Sequence, residues 1–203
     1  MTNLLQKNIF KAYDIRGIVG DTLTEGIVSL IGQSIGSEAN DQKQTSICVG
    51  YDGRLSSPDL CDALTRGLLS TGIDVINIGL VTTPMLYFST HELKTNTGIM
   101  ITGSHNPPEY NGFKIVINAK TLSSEQIQGL YKRIIDGKFS KGNGKLTSKK
   151  IQSQYLAKIY EGINLKRPMK ITIDCGNGAA GVCAEELFKG CLLYTSPSPR
   201  DRG

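Results

Sequence analysis

The sequence predicts an α/β fold: a three-layer α/β/α domain on a mixed sheet, followed by the start of a second α/β domain. Three observations predict it. Short apolar stretches alternate with longer ones whose apolar residues recur at helical spacing. Two of the helical stretches open with Ser57-Pro58 and Thr83-Pro84, a capping hydroxyl followed by a first-turn proline. Two apolar stretches, 97–102 and 113–117, are joined by a polar connection too short to hold a crossover helix, so these strands are expected to be antiparallel neighbours.

Each element follows from local pattern. Residues 9–17 form an extended lead-in ending in Asp14-Ile15-Arg16-Gly17. Residues 25–39 are helical, with Ile27, Ile31 and Ile35 stacked on one face. Residues 46–51 form a strand that runs into the turn Asp52-Gly53-Arg54. The helix opened by Ser57-Pro58 carries Leu60, Leu64 and Leu68, and Gly72 can end it in the left-handed conformation. A strand at 74–78 and a helix from Thr83-Pro84 to about Leu93 follow. Ser123 and Gln126 have capping-box spacing for a helix with Ile127, Leu130 and Ile134 on its buried face. Residues 138–150 are polar, rich in Lys and Gly, and read as an exposed loop. A helix follows with Ile151, Tyr155 and Ile159 on one face, then a strand at 169–175 and a helix at 179–189.

Three regions result: 1–150 as the first domain, 151–190 as the start of a truncated second one, and 191–203 as a tail of non-native character. The tail, Tyr-Thr-Ser-Pro-Ser-Pro-Arg-Asp-Arg-Gly at its end, has no periodicity and resembles translated sequencing adapter. Its two prolines argue against a helix or a central strand.

Composition narrows the function classes. Of 203 residues, 23 are basic and 18 acidic, a net charge of +5 that suits small anionic substrates. No basic run with interleaved aromatics marks a nucleic-acid face, and no apolar run is long enough to span a membrane. The five cysteines fit no metal or redox spacing and no secretory signal precedes them, so a cytoplasmic protein with reduced thiols is expected.

The residues that carry chemistry lie in one string, Thr102-Gly103-Ser104-His105-Asn106-Pro107-Pro108-Glu109-Tyr110-Asn111-Gly112-Phe113-Lys114. A serine stands on a loop directly after a buried strand, with Gly103 permitting close approach to its backbone. A hydroxyl needs a base or a metal to act as a nucleophile, and His105 and Lys114 can supply proton transfer or positive charge. On loop chemistry alone, a tight turn whose Ser and Asn side chains bond the backbone is the simpler reading.

The whole string resembles the phosphoserine loop of the α-D-phosphohexomutases, in their bacterial phosphomannomutase/phosphoglucomutase branch. Three more strings stand in that family's order: Phe10-Lys11-Ala12-Tyr13-Asp14-Ile15-Arg16-Gly17, Val49-Gly50-Tyr51-Asp52-Gly53-Arg54 and Asp174-Cys175-Gly176-Asn177-Gly178. The resemblance implies that Ser104 carries a phosphoryl group, donates it to a hexose monophosphate and recovers the other phosphate of the bisphosphorylated sugar. Hexose phosphates and hexose 1,6-bisphosphate would be the ligands. Mg²⁺ would be the cofactor, bound partly by the phosphate on Ser104. Lys114 matches the family's active-site lysine, or is a surface lysine at a strand start. His105 matches the residue beside the phosphoserine, or only bonds the loop. Arg16 matches a phosphate-binding arginine of the cleft, and Tyr13 a nearby contact residue or a packing residue. Asp52 and Arg54 read as a salt-bridged turn, with a supporting role left open.

Gly176-Asn177-Gly178-Ala179-Ala180-Gly181 has dinucleotide-binding spacing. The acidic partner expected about twenty residues on falls in the tail at Asp201, so the run reads as a strand-to-helix turn. The family's metal loop, an Asp-Gly-Asp-Gly-Asp type string, does not occur in the sequence, and a chain lacking it is expected to lack turnover. Two rivals stay open. Phosphoglucosamine mutases usually have Ala at the place of Gly103 and lack the Phe113-Lys114 ending. A non-catalytic phosphosugar-binding module would keep the loop without the reaction. A serine hydrolase lacks its G-x-S-x-G elbow here.

Overall fold

A computed structural model describes residues 5–191 and the backbone of 193–197. The main sheet has seven strands: β1 (Ile15–Ile18), β2 (Ser46–Tyr51), β3 (Asp74–Leu80), β4 (Gly98–Ile101), β5 (Tyr110–Ile117), β6 (Lys120–Thr121) and β7 (Leu146–Ser148). Their order is β1-β5-β4-β2-β3-β7, with β6 beside β5. β2 is parallel to both β3 and β4, and β3 is parallel to β7. β5 runs antiparallel to β4 and to β1, so the sheet is mixed as expected.

Helices cover both faces. α1 (Glu25–Asp41), α2 (Ser57–Leu69) and α4 (Ser124–Asp136) cover one side, where Ile31, Leu64 and Leu130 are buried with Ile47, Ile99 and Phe113 of the sheet. On the other side α3 (Thr83–Glu92) and α5 (Gln152–Gly162) bury Met85, Leu86 and Leu156 against Cys48, Ile78 and Met100. The alternation of side chains along each strand divides the two cores, with Ile47 and Val49 in one and Cys48 in the other.

Most elements lie where local pattern puts them, and the differences have local causes. The capping box of α4 forms, with the Ser123 N–H donating to Gln126 Oε1 at 3.1 Å. The residue preceding α2 is Ser56 rather than Ser57, and Ser57 turns its hydroxyl to Asp52 Oδ1 at 2.7 Å. Gly72 adopts the left-handed conformation at φ +89°, but beyond the end of α2. The lead-in contains a short 3-10 turn, Lys7–Ile9, before β1. The polar stretch read as a loop supplies β7, a three-residue exposed edge strand too short to show alternation. α5, placed by its sequence after the first domain, packs on α3 through Ile151 and Leu156.

β8 (Met169–Ile173) leads through a glycine turn and a 3-10 segment to α6 (Ala184–Gly190). In the tail the backbone of β9 (Leu193–Pro197) runs parallel to β8 as the edge of a two-stranded sheet, not as a central strand. Its proline is the last residue of the strand, where a missing N–H interrupts nothing further. The remainder, 198–203, with the second proline and Asp201, lies outside the described residues.

α1 and α2 cross closely because each offers a glycine. A Cβ on Gly67 would run into the Ser29 carbonyl oxygen, and one on Gly32 into that of Leu64. Gly67→Ala should therefore lower stability by about 1–3 kcal/mol through overpacking, although Ala is the better helix former by about 1 kcal/mol. Chemical denaturation measures this, and an unchanged or raised stability would exclude the steric account.

Burial pushes the Cys61 thiol up from its ordinary 9.0 to about 11. Between those values the unfolded chain has lost the proton that the folded chain retains, so stability falls as pH rises above about 9. Cys61→Ala should flatten part of that fall in denaturation curves taken between about pH 8 and 11, and an unaltered slope would show that this thiol does not contribute.

Candidate active site

β2 and β4 lie side by side and parallel, with Tyr51 opposite Ile101. The chain leaves β2 for β3 on one side, and leaves β4 for β5 on the other. Their carboxyl ends thus meet where the strand order reverses, the place at which open α/β sheets form a crevice. Two segments emerge there, 52–56 and 102–109, and the Asp52 N–H joins them to the sheet by donating to the Ile101 carbonyl at 2.9 Å.

Ser104 stands exposed on the second segment with φ +50°, a left-handed conformation uncommon for a residue with a side chain. Its N–H donates to Thr102 Oγ1 at 2.9 Å, and its Oγ lies 3.4 Å from His105 Nδ1. Asn106 folds the segment back on itself, its backbone N–H and its Nδ2 both donating to the Gly103 carbonyl, at 3.0 and 2.8 Å.

The Arg54 guanidinium lies against this loop. One terminal nitrogen donates to the carbonyls of Pro107 at 2.7 Å and Tyr110 at 3.0 Å, the other to those of Ser104 at 3.1 Å and Asn106 at 2.6 Å. Asp52 connects the two segments. Its Oδ1 accepts from the Arg54 N–H and from Ser57 Oγ, its Oδ2 accepts from the Gly103 N–H at 3.1 Å and lies 3.8 Å from Arg54 Nε. Asn111, fully buried, donates to the hydroxyls of Ser56 and Ser57, each at 3.0 Å. A polar network in which each member has a partner specifies one geometry.

Arg16 reaches the loop from β1, donating to Asn106 Oδ1 at 3.2 Å and to Asp14 Oδ2 at 2.5 Å. It sits opposite Gly112 of β5, and Lys114 follows two residues on, so Arg16 and Lys114 share one face of the sheet. Lys114 is half-buried opposite Met100, and its side chain makes no hydrogen bond or ion pair among the described residues. Tyr13 is 73% exposed. The fold therefore brings Ser104, His105 and, through Asn106, Arg16 together; among the described residues the side chains of Lys114 and Tyr13 make no hydrogen bond to the loop.

An open cavity of about 710 Å³ lies over this loop, lined by Arg54, Leu55, Ser104, Asn106 and the turn Gly176-Asn177-Gly178. Sequence reasoning passed over three of these. Asn106 was only part of a string, Leu55 carried no pattern, and the glycine turn read as structural. A signal for the turn existed in Asn177, an Asn between glycines, which adopts φ +57°. Among the described residues no group of three or more His, Cys, Asp or Glu side chains could hold a metal ion. The carboxylate nearest Ser104 in the network, Asp52, is already committed to Gly103, Arg54 and Ser57.

Residues 7–141 match the family model of the phosphoglucomutase/phosphomannomutase α/β/α domain I. The chain is 47% identical over 191 residues to a phosphomannomutase/phosphoglucomutase of Pseudomonas aeruginosa, covering 93% of this chain and 41% of that protein. It is 50% identical over 188 residues to a phosphoglucomutase of Neisseria meningitidis, covering 92% of this chain and 41% of that one. A crystal structure of a phosphoglucomutase/phosphomannomutase family protein from Burkholderia thailandensis superposes with a TM-score of 0.91 at 42% identity, over 96% of this chain and 44% of that one. The chain thus spans about two fifths of the length of these relatives. With its mixed sheet between two helical layers, the chain belongs to the phosphoglucomutase/phosphomannomutase family, and residues 7–141 are its α/β/α domain I.

Proposed function

We propose that the protein to which this chain belongs interconverts hexose 1-phosphate and hexose 6-phosphate, of mannose, glucose or both, through a phosphoryl group on Ser104. The observation that carries this reading is the placement of Ser104: exposed, in a left-handed backbone, at the switch point of the sheet, with an imidazole at 3.4 Å and an arginine tied to the same loop. The names of the relatives support the substrate class.

In the first half-reaction the bond between Ser104 Oγ and phosphorus breaks as a sugar hydroxyl oxygen forms its own bond to phosphorus. The hydroxyl proton leaves, and Ser104 Oγ regains one. His105 Nδ1 is within reach to hold or return the proton at Oγ. The bisphosphorylated sugar then presents its other phosphate and the steps reverse, restoring the phosphoserine. Arg16 offers a planar donor fork for a phosphate. Lys114, an unpaired cation on the same face, supplies charge as the phosphoryl group moves. Tyr13 contacts the sugar phosphate from its exposed position.

Mg²⁺ belongs to this reading as the cation that neutralises a moving phosphoryl group. The described residues do not make a site for it on their own. A phosphate on Ser104 is the ligand this chain would supply, and the aspartate-rich loop expected to supply the others is not in this sequence. We accordingly read the 203-residue chain as lacking turnover, and its parent as a cytoplasmic enzyme acting on hexose phosphates and hexose 1,6-bisphosphate, without nucleic-acid or membrane partners. Among the described residues no helix is long and apolar enough to cross a membrane. Gly103, where phosphoglucosamine mutases usually have Ala, and the Phe113-Lys114 ending favour this branch over phosphoglucosamine mutase.

Incubating a full-length parent protein with glucose 1,6-bisphosphate and mapping phosphopeptides should place phosphate on Ser104. A coupled assay of glucose 1-phosphate conversion should then show turnover by the parent and none by the 203-residue chain. Stable phosphate elsewhere, with Ser104→Ala fully active, would overturn the role of Ser104; equal rates for both proteins would overturn the reading of the chain.

Lys114→Met in the parent should lower kcat by more than Arg16→Lys does, whereas Arg16→Lys should mainly raise KM, since it replaces a fork by a point charge. Steady-state kinetics decide this, and a wild-type kcat in Lys114→Met removes that residue from the reaction.

A further inference from the structure

We propose that Arg54 is a positioning residue for phosphoryl transfer: with Asp52 it fixes the backbone that carries Ser104, and position 103 is glycine to admit its guanidinium. The inference deepens the mutase reading and rests on it for the chemistry, though not for the geometry.

The geometry is one-sided. Arg54 donates to three carbonyls of a single loop, those of Ser104, Asn106 and Pro107, and to that of Tyr110 where the loop enters β5, and to no side chain in that loop. Loops seldom direct so many carbonyl oxygens at one point, because their partial negative charges repel. A guanidinium at that point reverses the sign of the interaction, and its fixed planar fork distributes the donors without bending the loop. The arginine is itself held, its side chain 18% exposed beside an Asp52 carboxylate that is 16% exposed and also accepts the Gly103 N–H. Asp52 and Arg54 leave the end of β2, while the loop leaves the end of β4, so the clamp couples two neighbouring strand ends rather than two points on one loop.

Two features of the loop fit this clamp, which acts together with the local bonds from Ser104 to Thr102 and from Asn106 to Gly103. Ser104 holds φ +50°, which a serine does not favour and which must be imposed by its surroundings. Gly103 needs no left-handed freedom, since it is not among the residues of positive φ. Its lack of a side chain matters for space. A Cβ at 103 would overlap Nε, Cζ and one terminal nitrogen of Arg54. Glycine and arginine, some fifty residues apart in the chain, thus form one joint.

The test has two parts. In the 203-residue chain, amide hydrogen exchange is followed by mass spectrometry for wild type, Arg54→Lys, Arg54→Met and Gly103→Ala, with the Arg54→Met/Gly103→Ala pair completing the cycle. Arg54→Met should speed exchange in residues 103–112 by about tenfold or more while α1, α2 and β3 keep their protection. Arg54→Lys, with fewer and less directed donors, should fall between. Gly103→Ala should loosen the loop in the wild-type background and add little in the Arg54→Met background. In the full-length parent, Arg54→Met should lower kcat by about a hundredfold, the scale of a small misplacement at the reacting atoms, with KM within about threefold. Unchanged loop exchange, additive effects of the two substitutions, or an equal loss of protection across the whole domain would each overturn the proposal. The two readings fail differently. An Arg54→Met parent that labels Ser104 and turns over normally sinks the role of Arg54 alone. A parent that never takes phosphate on Ser104, with the loop still loosened by Arg54→Met, sinks the mutase reading and with it the claim about transfer.

Discussion

The parallel pairing of β2 with β4 is the constraint on which the site depends. These strands are consecutive neither in sequence nor in handling by the chain: one is followed by a helix that returns on the first face, the other by a polar loop that turns straight back into β5. Since both run the same way, both deliver their carboxyl ends to one edge of the sheet, and the departures to opposite sides leave a gap between them. Asp52 fills the base of that gap. A carboxylate there can accept from the backbone of both strands' exits, which the Gly103 and Arg54 N–H bonds record. Arginine two residues later then has a loop of carbonyls within reach, and the serine is carried on its far side.

Around that point the fold is built for close approach. The helices on one face meet through Gly32 and Gly67 with no room for a methyl group, so the layer is thin and rigid where α1 supports α2. α2 begins immediately after the Asp52 turn, and its first residue, Ser57, gives its hydroxyl to Asp52 and accepts from buried Asn111. Helix packing and site geometry are therefore not independent: the start of α2 is fixed by the same carboxylate that fixes the loop. The turn after β8 lines the same open cavity, and a Cβ placed on Gly53 would make only ordinary van der Waals contact with the Asn177 carbonyl, at 3.6 Å.

Much of this was legible in the sequence where the signal is periodic or covalent. The stacked Ile27, Ile31 and Ile35 placed α1, the Ser123/Gln126 spacing placed α4, and the short connection after Thr102 fixed β5 as antiparallel, because chain length alone excludes a crossover. Ser104 and Arg16 were singled out by a resemblance of whole strings, and the structure brings them to one loop. What escaped was of another kind. β7 and β9 are short edges whose existence depends on an available neighbour, not on their own alternation. Arg54 carried no local sign of its task, since a salt-bridged turn and a carbonyl clamp have the same three letters in sequence and differ only in what folds over them. Gly103 was read as a place where something could approach the backbone closely, and that is what it is; the sequence did not show that the approaching group is a side chain some fifty residues away.

The Asp52–Arg54 pair has a consequence for how the molecule meets its solvent. The two charges cancel within a few ångströms and are mostly shielded from water, so mobile ions have little access to them. Arg16 and Lys114 sit nearer the surface, and any pull they exert on an approaching dianion is felt across solvent. Ionic strength therefore acts on the two functions separately. If the proposed reading holds, rising salt would weaken the attraction that gathers a phosphorylated ligand while the shielded pair beneath the serine is little affected, so a loss of apparent affinity in a salty medium would be a change in encounter rather than in architecture.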